Sequence, residues 1–386
     1  MAATTAMAEF DWTEEQRALR AATLEFAESQ LGQAAGDDEA GFSRSGWQKC
    51  AAFGIQGLPV PPEYGGVGAE ATTTILALEA LGYGCRDSGL IFSLNAQMWA
   101  CETPLVQFGT EEQKRRYLPG LCDGSLIGAH AISEPSSGSD VFALRTTASR
   151  RGDRWVLEGS KTFVTNGPVA DVFVLFASTD PSAGFAGISA FLVDRETPGL
   201  ALGPPLQKMG LRTSPMCEVF LDGCAVSDEE LLGRRNGGMR VFGGAMEWER
   251  GCILAANVGR MQRQLERCMT HAQEREQFGQ PIGQFQAVSH RIVDMKVRLE
   301  TSRLLLYRFG RLLDAGTATP LDAALTKLHL SECFVSSSLD AVQVHGGYGY
   351  MTEYELEGDV RDAIGGRLYS GTSELQRNVI ARHLGL

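Results

Sequence analysis

A chain of 386 residues exceeds the ~250–300 residues that one hydrophobic core serves, so two or three packed domains are expected. With 44% apolar and 21% charged residues the composition is that of an ordinary globular protein, and a formal charge of −12 argues against a general nucleic-acid binder, which needs a basic face to displace counterions. No run approaches the ~18 apolar residues of a membrane span, and Met1 to Phe10 lack the basic and apolar regions of a signal peptide, so no membrane partner and a cytoplasmic location are expected.

From Trp12 to about Leu121, inward-facing positions recur at helical spacing, as at Leu19, Thr23 and Phe26 and at Ile75, Leu78 and Leu81, with breaks at Pro59-Val-Pro-Pro62 and Gly65-Gly66. Residues 1–125 are therefore predicted to form a helical domain. Between about Leu126 and Arg234 the period shifts to two, in Arg154-Trp-Val-Leu-Glu158, Val172-Phe-Val-Leu-Phe176, Ile188-Ser-Ala-Phe-Leu-Val193 and Glu218-Val-Phe-Leu221. Residues 126–236 are predicted to be a β-domain of short antiparallel strands. In residues 237–386 long amphipathic patterns return, predicting helices over Trp248 to Arg275, Phe285 to Ala315, Pro320 to His345 and Ser373 to His383, the third capped by Thr319. This order, without βαβ alternation or a G-x-G-x-x-G turn, excludes a Rossmann enzyme and leaves an α+β multidomain chain. The nine cysteines are scattered with no C-x-x-C pair and no His at ligand spacing, so they are read as reduced packing residues and no metal site is expected.

Two segments at the start of the β-domain carry chemistry. Ala131-Ile-Ser-Glu-Pro-Ser-Ser-Gly-Ser-Asp140 gathers hydroxyls and a Gly into a turn where backbone N–H groups can approach a polar ligand, although by itself it reads equally as a Ser/Pro loop. Lys161-Thr-Phe-Val-Thr-Asn-Gly167 is a strand able to lay a ring against a planar cofactor. Together they resemble the two signature segments of the acyl-CoA dehydrogenase family. The resemblance continues through Arg275-Glu-Gln-Phe-Gly-Gln-Pro-Ile-Gly283, Gln343-Val-His-Gly-Gly-Tyr-Gly349 and Gly371-Thr-Ser-Glu-Leu-Gln376, in the family's order over essentially the whole chain.

The resemblance implies the family's fold, with a helical N-terminal domain, a central antiparallel β-barrel-like domain and a C-terminal four-helix bundle. It implies FAD as cofactor: Ser133 and Ser139 bonding the flavin ring and pyrophosphate region, Phe163 and Thr165 flanking the isoalloxazine, and Thr372 near the flavin. Arg275 and Phe278 would reach the adenosine-diphosphate half of a neighbouring subunit's FAD, in a homotetramer or homodimer, and Gln343, Gly346 and Gly347 would approach the adenosine. By its residues alone, Arg275 reads as a cation at a helix C-terminus beside a glycine stop.

Many family members carry the catalytic base as a Glu directly before the terminal G-T element, where this chain has Ser370. Another branch carries it in an E-R element early in the first long helix of the last domain, matched by Met246-Glu-Trp-Glu-Arg-Gly251, which implies Glu249 as the base. Glu247 lies two residues away and cannot share its helix face; both would otherwise read as solvated helix carboxylates. The implied reaction is α-proton abstraction from an acyl thioester with hydride transfer to flavin N5, the thioester carbonyl held by the backbone N–H of Ser370 and a ribityl hydroxyl. Arg86-Asp-Ser-Gly-Leu-Ile-Phe-Ser-Leu94, Asn166-Gly-Pro-Val-Ala-Asp171, Trp248-Glu-Arg-Gly-Cys252 and Tyr369-Ser-Gly-Thr372 resemble the subgroup that oxidises carrier-protein-tethered acyl or prolyl thioesters in secondary metabolism. The thioester would then be presented by CoA or by an acidic carrier protein, for which Arg234-Arg235 or Lys114-Arg115-Arg116 are candidate docking sites. Electrons would pass to an electron-transfer flavoprotein, or to O₂ in an oxidase; a flavin-free scaffold is the reading from a different class, prompted by Ser370.

Overall fold

The computed structural model of the protein describes residues 11–32 and 41–386; Met1 to Phe10, which show no signal-peptide pattern, lie outside them. The chain runs through six helices, α1 (Glu14–Gln30), α2 (Arg44–Phe53), α3 (Ala71–Gly84), α4 (Ser88–Gln97), α5 (Thr103–Phe108) and α6 (Glu111–Asp123), with a π-helical turn at Met98–Glu102 joining α4 to α5. Thr13 and Thr110 start α1 and α6 with reciprocal capping boxes, to Gln16 and Gln113. Helix α3 is buried on nearly all sides, because α1 covers one flank and helices from the far end of the chain cover the other.

Eight strands follow in one sheet: β1 (Gly128–Ala131), β2 (Thr147–Arg151), β3 (Arg154–Thr165), β4 (Val172–Ser178), β5 (Ile188–Asp194), β6 (Leu200–Leu202), β7 (Met216–Val226) and β8 (Leu231–Leu232). Their order is β6-β7-β3-β2-β4-β5-β8, with β1 beside β4. The sheet is not purely antiparallel. β1 runs parallel to β4 from Gly128↔Val172 to Ala131↔Leu175, and β2 meets β4 in parallel at Thr147↔Ser178. β1 enters from α6 rather than through a hairpin, and the direction of entry is set by that connection, which a period of two does not encode. Both faces of β4 and β5 are covered: Phe173, Leu175, Phe191 and Val193 pack within the sheet domain, while Val174, Phe176, Ile188 and Leu192 pack toward helices.

The last part holds α7 (Gly238–Cys252), α8 (Ala255–Glu274), a hairpin of β9 (Glu276–Gln277) and β10 (Gln280–Pro281), α9 (Gln286–Asp314), α10 (Pro320–His345), α11 (Leu356–Gly366) and α12 (Ser373–His383). The single helix expected over Trp248 to Arg275 is two helices, separated by a turn at Ile253-Leu254. The break lies just beyond Gly251, where a Cβ would stand 1.7 Å from the ring of Phe309; this long-range contact is invisible to periodicity. Helices α8, α9 and α10 pack on one another, and α11 and α12 pack on α10. No helix among the described residues is long and apolar enough to cross a membrane.

Helices α3 and α8 approach through two glycines. A Cβ at Gly82 would stand 1.9 Å from the Ala256 carbonyl oxygen, and one at Gly259 would stand 2.0 Å from that of Glu79. Beside this contact the buried Glu79 carboxylate accepts from Arg303 Nε and Nη2 at 2.9 and 2.6 Å and from the Tyr307 hydroxyl at 2.6 Å.

Candidate active site

Phe242, Ala245, Met246 and Glu249 are spaced three and four residues apart on α7 and form its inward face. Glu249 is 9% exposed and lies in the helix's last turn. Its carboxylate accepts from the Ser370 hydroxyl. Ser370 sits in the turn between α11 and α12 with φ +54°, a left-handed backbone unusual outside glycine, and Gly371 follows with φ +88°. Surrounding side chains fasten this turn: Arg250 Nε donates to the Ser370 carbonyl at 3.2 Å, Gln376 Nε2 to the Gly371 carbonyl at 2.9 Å, and Lys327 Nζ to the same carbonyl at 2.7 Å.

Burial raises the Glu249 carboxyl above the ordinary carboxylate range, while the Ser370 hydroxyl and the charges of Arg250 and Lys327 pull it back. Burial, with Arg250 alongside, pushes Lys327 down to about 8. Two aromatic pairs wall the region: Trp248 stacks with Trp99 at 6.0 Å, and Tyr369 meets Phe92 at 4.6 Å. Glu247 is half-buried and makes no hydrogen bond or ion pair among the described residues.

The Ser133–Asp140 loop is held from beneath by a buried ion pair. Lys161 Nζ donates to Glu134 at 2.7 Å, and the same carboxylate accepts from the Arg145 and Thr146 backbone N–H groups at 2.6 and 2.9 Å. Burial pushes Lys161 down to about 8, opposed by Glu134, and Glu134 itself is held below the ordinary range by Lys161 against the effect of burial. The Ser133 carbonyl accepts from Thr162 N–H at 2.9 Å, which sets Ser133 beside Phe163 and Thr165 on β3. Phe163 has φ +56° at a register shift between β3 and β7, and this bulge turns its ring outward, 65% exposed. Ser139 is also exposed. On β1, His130 lies between the rings of Phe176 at 5.2 Å and Phe242 at 6.4 Å; burial, with Lys161 nearby, pushes its imidazole down to about 4, and its buried Nε2 has no partner among the described residues.

A third group gathers at the far end of α8 and α10. Arg275 follows α8 and places its guanidinium 5.8 Å from the centre of the Tyr348 ring. Phe278 and Gly279 form the two-residue loop of the β9–β10 hairpin with φ +53° and +80°, and Phe278 is 94% exposed. Gln343 is exposed on the last turn of α10, and at Gly346 and Gly347 a Cβ would meet nothing within 4 Å. Among the described residues no hydrogen bond or ring contact joins this group to Ser133 and Phe163. Thr372 caps α12, accepting from Leu375 N–H at 3.3 Å, two residues from Ser370. An outward ring beside a hydroxyl-rich loop, and an open glycine turn beside an arginine, suit the flat and the anionic ends of a dinucleotide.

The N-terminal, middle and C-terminal domain families of acyl-CoA dehydrogenases match residues 13–125, 129–224 and 236–385. The chain belongs to the acyl-CoA dehydrogenase family. Among acyl-CoA dehydrogenase relatives, an L-prolyl-(peptidyl-carrier protein) dehydrogenase of Pseudomonas fluorescens is 43% identical over 379 residues, covering 98% of this chain and 100% of the relative. The crystal structure of the prolyl acyl carrier protein oxidase AnaB matches with a TM-score of 0.95 at 47% identity, covering 97% of this chain and 100% of AnaB. PigA, solved with FAD and proline, matches with a TM-score of 0.95 at 41% identity, over 98% and 99% of the two chains.

Sequence reasoning about this acyl-CoA dehydrogenase chain missed the Ser370 hydroxyl on Glu249, since only the Ser370 N–H was singled out. It also left Glu134 and Lys161 without a role. Opposite charges inside two motifs otherwise poor in charge were the available signal.

Proposed function

We propose that the protein is an FAD-dependent dehydrogenase acting on the α and β carbons of an aminoacyl thioester, prolyl in the first instance, presented by a carrier protein. The observation that carries the dehydrogenase chemistry is the buried Glu249 with the Ser370 hydroxyl on its carboxylate, and the prolyl group and carrier protein are taken from what the Pseudomonas fluorescens relative and AnaB are described as acting on. Ser370 occupies the position of the alternative base, and its bond to Glu249 speaks for a working proton acceptor and against a flavin-free scaffold. When bound, FAD supplies the hydride acceptor. Ser133, Ser139, Phe163, Thr165 and Thr372 would hold its flavin end, and Arg275, Phe278, Gln343, Gly346 and Gly347 an adenosine end.

Glu249 removes the α-proton. Burial raises its pKa and so its appetite for a proton, and the Ser370 hydroxyl favours the ionised form that accepts one. The Ser370 N–H, presented by the left-handed turn, donates to the thioester carbonyl as negative charge develops there. That no hydrogen bond or ring contact among the described residues joins the Arg275 group to Ser133 and Phe163 fits an adenosine site shared between subunits of a homodimer or homotetramer. The three-part division at residues 1–125, 126–236 and 237–386, a cytoplasmic location and an electron-transfer flavoprotein as acceptor complete the reading.

Prolyl groups on a carrier protein and on CoA, incubated with the enzyme and read by mass spectrometry, test it: a loss of two hydrogens on the carrier-bound group is expected, and no mass change on either thioester overturns it. Because AnaB is described as an oxidase, oxygen is the second acceptor to consider. Anaerobic bleaching of the flavin that reverses within a turnover on admitting air identifies an oxidase; slow reversal identifies a dehydrogenase.

A further inference from the structure

The two basic runs differ in how their charges are spent. Lys114 and Arg115 lie 3.9 and 3.6 Å from Glu111, and Arg116 pairs with Asp194 at 2.5 Å. Arg234 and Arg235 are exposed and have no ion pair among the described residues; Arg235 rests its guanidinium 5.3 Å from the centre of the Trp155 ring. On a chain of net charge −12 these are exposed cations outside any ion pair, Arg234 the more open of the two because Arg235 also lies within electrostatic reach of the Asp180 carboxylate.

They adjoin an exposed apolar ridge. Asn236, the next residue, accepts from Thr179 Oγ1 at 2.7 Å and donates its N–H to Ser189 Oγ at 2.8 Å, which ties the arginines to the β4–β5 connection. That connection carries Phe185, 63% exposed among the exposed Pro181 to Ala186, and the Phe185 ring lies 6.2 Å from that of Phe142, itself 47% exposed. Phe142 in turn meets Phe242 edge-on at 6.4 Å, and Phe242 heads the α7 face that ends in Glu249. Seven residues of helix, about 10 Å at ~1.5 Å per residue, separate Phe242 from the carboxylate. Paired exposed aromatic rings beside unpaired cations form a surface suited to a partner that is apolar at its centre and acidic at its rim.

We propose that Phe142, Phe185, Arg234 and Arg235 form the docking surface for an acidic carrier protein, oriented so that its thioester arm enters along α7. This rests on the reading that the substrate is carrier-bound. Flavin reduction is measured against a prolyl-loaded peptidyl carrier protein and against the prolyl thioester of N-acetylcysteamine, which has no protein to dock. In F142S/F185S and in R234E/R235E the half-saturating carrier concentration rises by at least about tenfold, the scale of losing interface anchors. Flavin content and the rate with the small thioester stay at the parent level. Arg115→Glu, in the ion-paired run, leaves carrier saturation unchanged. In the parent, raising the salt weakens carrier saturation, and R234E/R235E loses this dependence. Unchanged carrier saturation in both double variants, or equal losses on both substrates, overturns the docking surface. A parent that reduces its flavin with the small thioester but gains nothing from the carrier overturns it too, while leaving the reaction intact. A parent inert toward both overturns the reaction itself and the surface with it.

Discussion

The surroundings of Glu249 and the surroundings of Phe163 and Phe278 are built to opposite specifications. Around Glu249 the chain supplies every partner itself: a hydroxyl on the carboxylate, two cations nearby, three side chains fastening a left-handed turn and aromatic walls on two sides. Around Phe163 and Phe278 large rings stand in the open, 65% and 94% exposed, beside glycines with free space. On the proposed reading, the proton chemistry is organised by the chain's own contacts, whereas the surface assigned to the cofactor is left open. Changes in the first region should therefore alter rate and pH dependence without releasing flavin, and changes in the second should release flavin without altering the base.

The largest effect belongs to Glu249→Gln, which keeps shape and hydrogen bonding but removes the proton acceptor. Flavin reduction by substrate in stopped flow should fall by about 10²–10⁴-fold with flavin content unchanged; reduction at the parent rate would move attention to Glu247. Next in size, Arg275→Ala should weaken FAD binding by about 1.5–3 kcal/mol, the value of a hydrogen bond to a charged group, seen as flavin lost on dialysis while thermal unfolding of the apoprotein is unchanged. Retained flavin would show that the exposed cluster is not part of the cofactor surface.

Ser370→Ala is expected to be smaller and to differ in kind. Reduction requires ionised Glu249, so the rate climbs as pH rises through its raised pKa. The Ser370 hydroxyl opposes that rise, so removing it should move the acid limb of the pH profile further upward. The loss should deepen as pH falls and recover toward higher pH; a uniform loss across pH would assign Ser370 to backbone shape alone. Smallest of all, Glu247→Gln should stay within about twofold of the parent, as for changes outside any hydrogen-bonded network.

Legibility in the sequence followed the same divide between local and long-range forces. Helices α10 and α12 and the Thr319 cap were readable because propensity, capping and periodicity act within a few residues, and the observed bounds, Pro320–His345 and Ser373–His383, match the expected ones. The turn at Ile253-Leu254 was not, since it accompanies the meeting of Gly251 with Phe309, far along the chain. The parallel entry of β1 was hidden for a similar reason, strand direction being a matter of connection rather than pattern. At the site, Glu249 and Ser370 could each be picked out through family resemblance, but 121 positions separate them and only the fold brings the Ser370 hydroxyl onto the Glu249 carboxylate.

The glycine contact between α3 and α8 bears on how the chain can be recombined. Gly82 and Gly259 are reciprocal notches, each receiving the other helix's main chain, so the first and last helical stretches fit as a matched pair. A chimera that took α3 from a relative with a larger residue at position 82 would be unable to seat its new helix on the resident α8. Recombination of this scaffold should therefore carry α3 and α8 together, and the β-domain is no freer to move alone, since a Cβ at Gly89 on α4 would stand 2.1 Å from Thr213 Oγ1 and one at Gly210 would stand 2.5 Å from the Arg361 carbonyl oxygen.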